Sequence, residues 1–531
     1  MHHSHVDGVP VLRFADSGPL RGTLLFGAGA RDETYRTRGV NRLVADLAVR
    51  ETRRRLHEAV GPVVSTGVAE TRFTVSGTQS EVADCLGELC RVLGALPTDG
   101  LDEMPYTCDS ETVAALAPAA AAALNARFGA QGVGLVGQER RGHRPVEHRP
   151  LTAEVLLGHA AAWFTRANAI LTLIGPDPVG LRLPLPTGVR PKRLAPRARY
   201  PRASWTHRNL AGLALSVEAP AGSAAMTVAH RILRERTSTA FARLQTPAVP
   251  TGAATVPHDS TTDIRLLFIP PLPTPEAAAP EADLSSEGTP DSEDSPLPEG
   301  APTPEAAPTP DATPITPAQV EALAATMWSE ALRLARSETA QDEVDRHRGG
   351  DATEEARSLA LEAAARAELF GAPDLDEDGR RALDGVTPQD VRDAWQQAMA
   401  GAQLVVPDGV LLDLAGPDGR RLWCTSCWTW DELPPWGETF REPPVKRVFR
   451  RAGDRHWTVL TDDAVVSCRT GAHHTLRFDD VVAMERHGPE RVLIGRCGCD
   501  VGLDPSWYRG GKRLIRAVDE AVPAERAFDG V

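Results

Sequence analysis

Apolar positions fall into two periods along this chain, and their order predicts alternating strands and helices. Leu20-Arg21-Gly22-Thr23-Leu24-Leu25-Phe26 is a short apolar run suited to a buried strand. Leu210-Ala211-Gly212-Leu213-Ala214-Leu215 echoes it about 190 residues later. A Thr-led helix followed by an apolar strand also occurs twice. The first copy is Thr152 to Trp163, then Ala169-Ile170-Leu171-Thr172-Leu173-Ile174; the second starts at Thr387-Pro388-Gln389-Asp390-Val391 and continues to Gln403-Leu404-Val405-Val406. Their offset is about 235 residues, and subtracting an insertion of roughly 45 residues restores the spacing of about 190. Two matching α/β units, one carrying an insertion, account for this pattern.

The insertion is Pro271 to Pro314. It holds about a dozen prolines and about ten acids, with no lysine or arginine, so it is expected to be a disordered acidic loop acting as a spacer, with docking through its negative charge as the alternative. Directly after it, Thr316-Pro317-Ala318-Gln319 has the capping Thr, first-turn Pro and Gln of a helix start. Val320, Leu323, Ala324, Met327, Trp328, Ala331 and Leu332 then keep one helix face apolar, which predicts core packing. Beyond about residue 407 the texture changes. Trp423, Trp428, Trp430, Trp436, Trp457 and Trp507 are here, and runs such as Trp457-Thr458-Val459-Leu460 and Arg491-Val492-Leu493-Ile494 alternate with turn residues. A closing helix over about Gly511 to Ala521 is predicted.

The expected fold is therefore α+β: an α/β domain at 1–190, a second at 191–406 interrupted by the loop at 271–314, and a small mostly-β domain at 407–531. Its length of 531 residues agrees with about three domains. The net charge of −14 is concentrated in the acidic loop, leaving the folded parts near neutral, and nothing points to nucleic acid as a partner. Neither a signal-peptide pattern nor a membrane-length apolar run is found, so a cytoplasmic location is expected, with thiols reduced. The histidines at 2, 3 and 5 are expected in a solvated tail.

The turn Gly29-Ala30-Arg31-Asp32-Glu33, followed by Gly39-Val40, Leu43-Val44 and Leu47, resembles the first strand and helix of the pitrilysin/insulinase-type zinc peptidases. In that family the helix carries Gly-Leu-x-His-x-x-Glu-His. Histidines four apart share one helix face and hold zinc, while the glutamate activates the zinc-bound water. Here the segment reads Gly39-Val40-Asn41-Arg42-Leu43-Val44-Ala45-Asp46. Arg42 replaces the first histidine, Ala45 the glutamate and Asp46 the second histidine. A permanently protonated guanidinium has no lone pair for zinc, and alanine is no base. The resemblance implies a third ligand further along, for which Glu111 is the nearest candidate; Glu111 with Asp46 makes no credible zinc site, and an ion pair between Asp46 and an arginine is expected instead.

The same resemblance implies further residues and a partner. Active members carry an arginine and, seven positions on, a tyrosine that hold substrate; Arg234 and Phe241 stand there, with the phenol oxygen missing. A surface role for Arg234 is the alternative. A closed peptide chamber needs twice as many α/β domains as this chain supplies, so a second peptidase-like subunit, the same or different, or a bound polypeptide is the implied partner. In relatives such as the mitochondrial processing peptidase, one subunit keeps the zinc and the other is inactive but helps bind substrate.

Cys424-Thr425-Ser426-Cys427 and Cys497-Gly498-Cys499 offer a different chemistry. Four thiolates in two close pairs suit a structural zinc site, and small buried thiols beside tryptophans are the alternative. No other cofactor is expected. Cys85, Cys90, Cys108 and Cys468 have no partner spacing and are expected to be core or near-surface thiols, while His473 and His474 are expected to be exposed in a hairpin turn. The strand pattern after 457 and the final helix resemble a pleckstrin-homology-like (PH-like) barrel. Three functions remain open on sequence: a catalytically silent peptidase-like subunit, an active hydrolase with a non-standard site, and a scaffold for a C-terminal binding module.

Overall fold

A computed structural model describes residues 1–56, 61–99, 101, 116–137, 151–193, 195–208, 212–244, 250–269, 316–337, 339–348, 361, 364–370, 383–430, 434–443, 456–469 and 471–529. The acidic segment 271–314, Glu111 and Cys108 lie outside the described residues.

The first sheet holds β1 (His2–Val6), β2 (Val9–Phe14), β3 (Leu20–Phe26), β4 (Val63–Thr66), β5 (Thr71–Gly77) and β6 (Ala169–Ile174), in the spatial order β1-β2-β6-β3-β5-β4. The helices α1 (Val40–Arg55), α2 (Gln79–Gly94), α3 (Pro118–Phe128) and α4 (Ala153–Trp163) belong to the same half. Successive residues of a strand point to opposite faces. Leu20, Leu24 and Phe26 accordingly pack in one core with Leu43, Leu47, Val82, Leu86 and Leu156 of α1, α2 and α4. Leu25, between them, points the other way. The N-terminal histidines, expected in a tail, form β1 instead, because backbone pairing with β2 needs no side-chain burial; they stay exposed on that edge.

The second sheet repeats the first. It holds β7 (Ser204–Arg208), β8 (Leu213–Pro220), β9 (Gly252–Pro257), β10 (Thr262–Ile269), β11 (Gln403–Pro407) and β12 (Trp423–Cys424), in the order β12-β7-β11-β8-β10-β9. Position by position, β2, β6, β3, β5 and β4 correspond to β7, β11, β8, β10 and β9. Both sheets share a parallel pair at the matching place, β2–β6 and β7–β11, beside antiparallel ladders, and the second adds a parallel β12–β7 pair at its edge. The helices α5 (Ala224–Arg243), α6 (Pro317–Arg336), α7 (Gln341–Arg348) and α8 (Pro388–Met399) cover one face. Thr316 and Thr387 cap α6 and α8 through reciprocal bonds with Gln319 and Asp390, as their spacing predicts.

Each half covers the other's remaining sheet face. The alanine-rich α3 is buried all round; its Ala119, Ala120, Ala123, Leu124 and Phe128 pack on Ala214, Ile264, Leu266 and Val405 of the second sheet. In return, Leu361, Ala364, Ala365 and Leu369 of the second half pack on Leu12, Leu25, Ile170 and Ile174 of the first. Arg127, at the end of α3, is buried and donates to Ser216 Oγ (3.1 Å), the Ser216 carbonyl (2.7 Å) and the Gly401 carbonyl (2.8 Å). Arg31 bridges in the same sense, donating to the carbonyls of Pro257 and His258.

Val410, Leu412 and Leu422 remain in the second domain's core, the Trp328 indole donates to the Ala415 carbonyl (2.8 Å), and β12 extends the second sheet. Beyond it lies a mostly-β body. One sheet has the order β13 (Thr429–Trp430), β17 (Ala472–Arg477), β16 (Ala464–Arg469), β15 (His456–Leu460), β14 (Glu438–Arg441). The other has β20 (Asp500–Leu503), β19 (Glu490–Gly495), β18 (Val481–His487), β21 (Ala527–Asp529). Leu514, Ile515 and Val518 of the closing helix α9 (Gly511–Ala521) share a core with Val465, Leu476, Met484 and Leu493 from both sheets. The body docks on the first domain through Tyr35, whose ring stacks on Phe528 (6.4 Å between centroids) and whose hydroxyl donates to Glu485 (3.2 Å).

Candidate functional site

The α1 helix begins on a carboxylate. Glu33 is buried and accepts from the backbone N–H groups of Gly39 (2.7 Å) and Asn41 (3.0 Å), satisfying donors that an α-helix leaves free at its first turn. Burial pushes its pKa up to about 7, against those two hydrogen bonds, which lower it. Asp32 is also buried, with a pKa raised to about 6 by desolvation; it accepts from Gly29 N (3.0 Å) and lies 3.3 Å from Arg193. The Gly29–Glu33 turn is thus a structural mount for α1 and for the junction between the halves.

On the helix itself, Arg42 Nε donates to Asp46 Oδ2 at 2.6 Å, one turn apart, with both side chains about a third exposed. Ala45 is fully buried, in the core of the first domain. The face that would need two imidazoles and a carboxylate therefore carries a closed ion pair and a methyl group. Nearby His159 on α4 approaches Asn41 Oδ1 (3.4 Å), and burial lowers its pKa to about 4, so it is neutral.

On α5, Arg234 is exposed and donates to the Thr251 carbonyl (3.3 Å). Phe241 is 2 % exposed and packed in the second domain's core, so its ring presents no surface to a bound peptide. Seven residues, about two turns, separate the two along α5.

The cysteines give the denser constellation. Cys427, Cys497 and Cys499 come together with His474, and their Sγ and imidazole nitrogen atoms all lie within 4.8 Å of one another. Among the described residues no other group of three or more such ligands approaches this way. Cys424 is not in the group. It sits on β12, paired with Trp205 of β7, and is exposed, because residues 424 and 427 diverge where the chain leaves the sheet. His474 takes its place. Both His473 and His474 are buried on β17 (6 % and 4 % exposed), whereas a turn was expected; the actual turn lies just before them at Gly471, whose φ is +77°. Only the partnering of β17 with β13 and β16 decides that burial.

The cluster is held from several sides. Gly495 N donates to the Cys499 carbonyl (2.8 Å) and Gly498 N to the Gly495 carbonyl (2.8 Å), forming a tight turn between β19 and β20. Cys499 N points at Cys497 Sγ (3.4 Å), and His474 Nε2 is 3.8 Å from the same sulfur. Arg199, from the connection between the halves, donates to Cys427 Sγ (2.9 Å) and to the Cys497 carbonyl (2.8 Å). Hydrogen bonds from the two neighbouring thiols lower the pKa of Cys427, and the same contacts raise that of Cys499. Desolvation lowers the pKa of His474, leaving a neutral imidazole with a free lone pair. Cys85, Cys90 and Cys468 are separate buried thiols.

No family model matches this sequence, and no curated protein matches it. Solved structures similar to it include a chain of complex III2 from Candida albicans, with 13 % identity and a TM-score of 0.52 over 78 % of this chain and 97 % of that one. A peptidase M16 inactive domain from Pseudomonas fluorescens gives 13 % identity and a TM-score of 0.52, covering 78 % of this chain and 99 % of that one. A protease from Helicobacter pylori gives 12 % and 0.51, covering 76 % and 98 %. The chain therefore has the pitrilysin/insulinase-like fold, followed by a mostly-β C-terminal region. No helix among the described residues is long and apolar enough to cross a membrane.

Proposed function

We propose that this chain is a catalytically silent, peptidase-like protein that binds a polypeptide or a second peptidase-like subunit. The observation that carries this is the state of α1, where Arg42 and Asp46 neutralise each other and Ala45 is buried. No imidazole stands at those three positions, and their one carboxylate, Asp46, is held by Arg42, so the family's water activation has no agent there. Similarity to a domain described as inactive and to a chain of a multisubunit complex supports the silent, partner-dependent reading. A cytoplasmic location belongs to the same proposal.

A second reading is favoured by one feature: the C-terminal region exposes Trp430 (53 %), Trp436 (99 %) and Trp507 (45 %), and large exposed indoles are typical of binding surfaces. In it the C-terminal body is a PH-like binding module and the peptidase-like halves are its scaffold.

Full-length protein incubated with a peptide library and excess zinc is expected to give no chelator-sensitive cleavage. Cleavage that a chelator abolishes, and that persists without Cys427 and Cys499, would overturn the silent reading. Light scattering of the purified protein is expected to give a homodimer or a complex with a co-purified chain, and a lone monomer counts against the subunit proposal.

A further inference from the structure

We propose that Cys427, His474, Cys497 and Cys499 bind one zinc ion in a closed tetrahedral Cys3His site that clasps the C-terminal region onto the junction of the two peptidase-like halves. The site is independent of the peptidase resemblance and shares no residue with α1.

Geometry supports a metal first. Zinc bonds of about 2.3 Å to sulfur and about 2.0 Å to nitrogen, at tetrahedral angles, place ligand atoms about 3.5–3.8 Å apart. Here the four ligand atoms lie within 4.8 Å of one another, and His474 Nε2 is 3.8 Å from Cys497 Sγ. Small rotations of the side chains close the remainder. Three thiols and an imidazole gathered this tightly are poor partners for one another: thiol hydrogen bonds are weak, and three thiolates would repel. A soft divalent cation resolves both problems, and the donor set of three sulfurs and one nitrogen favours zinc over magnesium or calcium. Four protein ligands leave no open position for water, which makes the site structural and not catalytic.

The surroundings fit the charge. Three thiolates and Zn2+ sum to one negative charge, and the Arg199 guanidinium lies 2.9 Å from Cys427 Sγ. The Cys499 N–H aimed at Cys497 Sγ is the kind of outer contact that orients a metal-bound thiolate. Trp428 stands beside His474, with ring centroids 5.9 Å apart, and helps shield it from water.

Position gives the site its role. Cys427 lies just past β12, where the chain leaves the second domain's sheet, and His474 lies on β17 of the C-terminal body. Cys497 and Cys499 lie in a turn that touches the first domain: Ala130 N donates to the Arg496 carbonyl (3.1 Å), and Gly498 abuts Asn125 of α3. One ion there would tie the second half's exit to the C-terminal body, at a hairpin that rests on α3 next to the apolar cluster of Tyr35, Ala130, Leu135, Ile494 and Phe528.

The test uses full-length protein purified under reducing conditions without chelator. Metal analysis is expected to give one zinc per chain. Cys424→Ser should keep it, and the Cys427→Ser/Cys499→Ser double variant should lose it. Cobalt(II) exchanged into the wild-type protein should show the intense visible bands of a tetrahedral thiolate site, a readout that stands even if the double variant does not fold. Failure of the reduced protein to retain zinc after reconstitution and dialysis overturns the proposal, as does a disulfide among the three cysteines under these conditions. Zinc retained in the folded double variant also overturns it. Removing zinc by chelation should speed exchange of the Ala130 amide at least tenfold; unchanged exchange overturns the clasp.

Discussion

Ala45 has no exposed surface, and its methyl group belongs to the core beneath α1. Ala45→Glu would bury a carboxylate there, at an expected cost of about 2–4 kcal/mol read from urea unfolding; an unchanged midpoint would mean that the position faces solvent. Glu33 supplies a pH test. Its folded pKa of about 7 lies above the ordinary 4.5, so the folded state holds this proton more tightly than the unfolded chain. Stability from this group is full below about pH 4.5 and is lost as pH rises through about 7. Glu33→Gln cannot ionise, so its stability relative to wild type should improve across that window by about 1–3 kcal/mol, measured as paired unfolding curves. A constant difference would show that Glu33 titrates normally. The absence of a histidine at 42, 45 and 46 was legible in sequence because a zinc-ligand role needs a particular residue type. The burial of Ala45 and Phe241 was not, since it depends on what packs over each helix.

Elements were legible where local chemistry decides them. The caps at Thr316 and Thr387 and the closing helix α9 stand where the pattern places them. Contacts between elements are different in kind. Gly129 ends α3 with φ +71°, and a Cβ there would lie 1.9 Å from the Arg496 carbonyl oxygen. Gly129→Ala should therefore strain the turn and push the 495–499 hairpin away, costing about 1–3 kcal/mol in thermal or urea unfolding. Hydrogen exchange should locate the loosening at Ala130 and in β19 and β20. Protection unchanged at these sites would remove the hairpin from the docking surface. No local signal at Gly129 announces a partner some 370 residues away.

At the scale of the molecule, the halves are joined by an exchange of helices. Arg127 is the polar anchor of that exchange, buried with the carbonyls of Ser216 and Gly401 as acceptors. Arg127→Met keeps much of the stem but strands those acceptors, and a loss of about 2–4 kcal/mol is expected in denaturant titration. Proteolysis in the connection at 176–203 should quicken in parallel. Equal stability with unchanged proteolysis would place the joining energy in apolar contacts alone.

Legible along the chain alone were the repeated α/β pattern, the helix starts, the mostly-β end and the absence of an imidazole at positions 42, 45 and 46. These depend on short-range periodicity, on caps within one turn, and on the identity of single side chains. Folding in three dimensions settles which half covers which sheet, that Val410, Leu412 and Leu422 pack in the second half's core, and that His474 and not Cys424 joins Cys427, Cys497 and Cys499. Those outcomes depend on strand pairing and packing between distant segments, and no spacing along the chain encodes the distance between residues that meet only after folding.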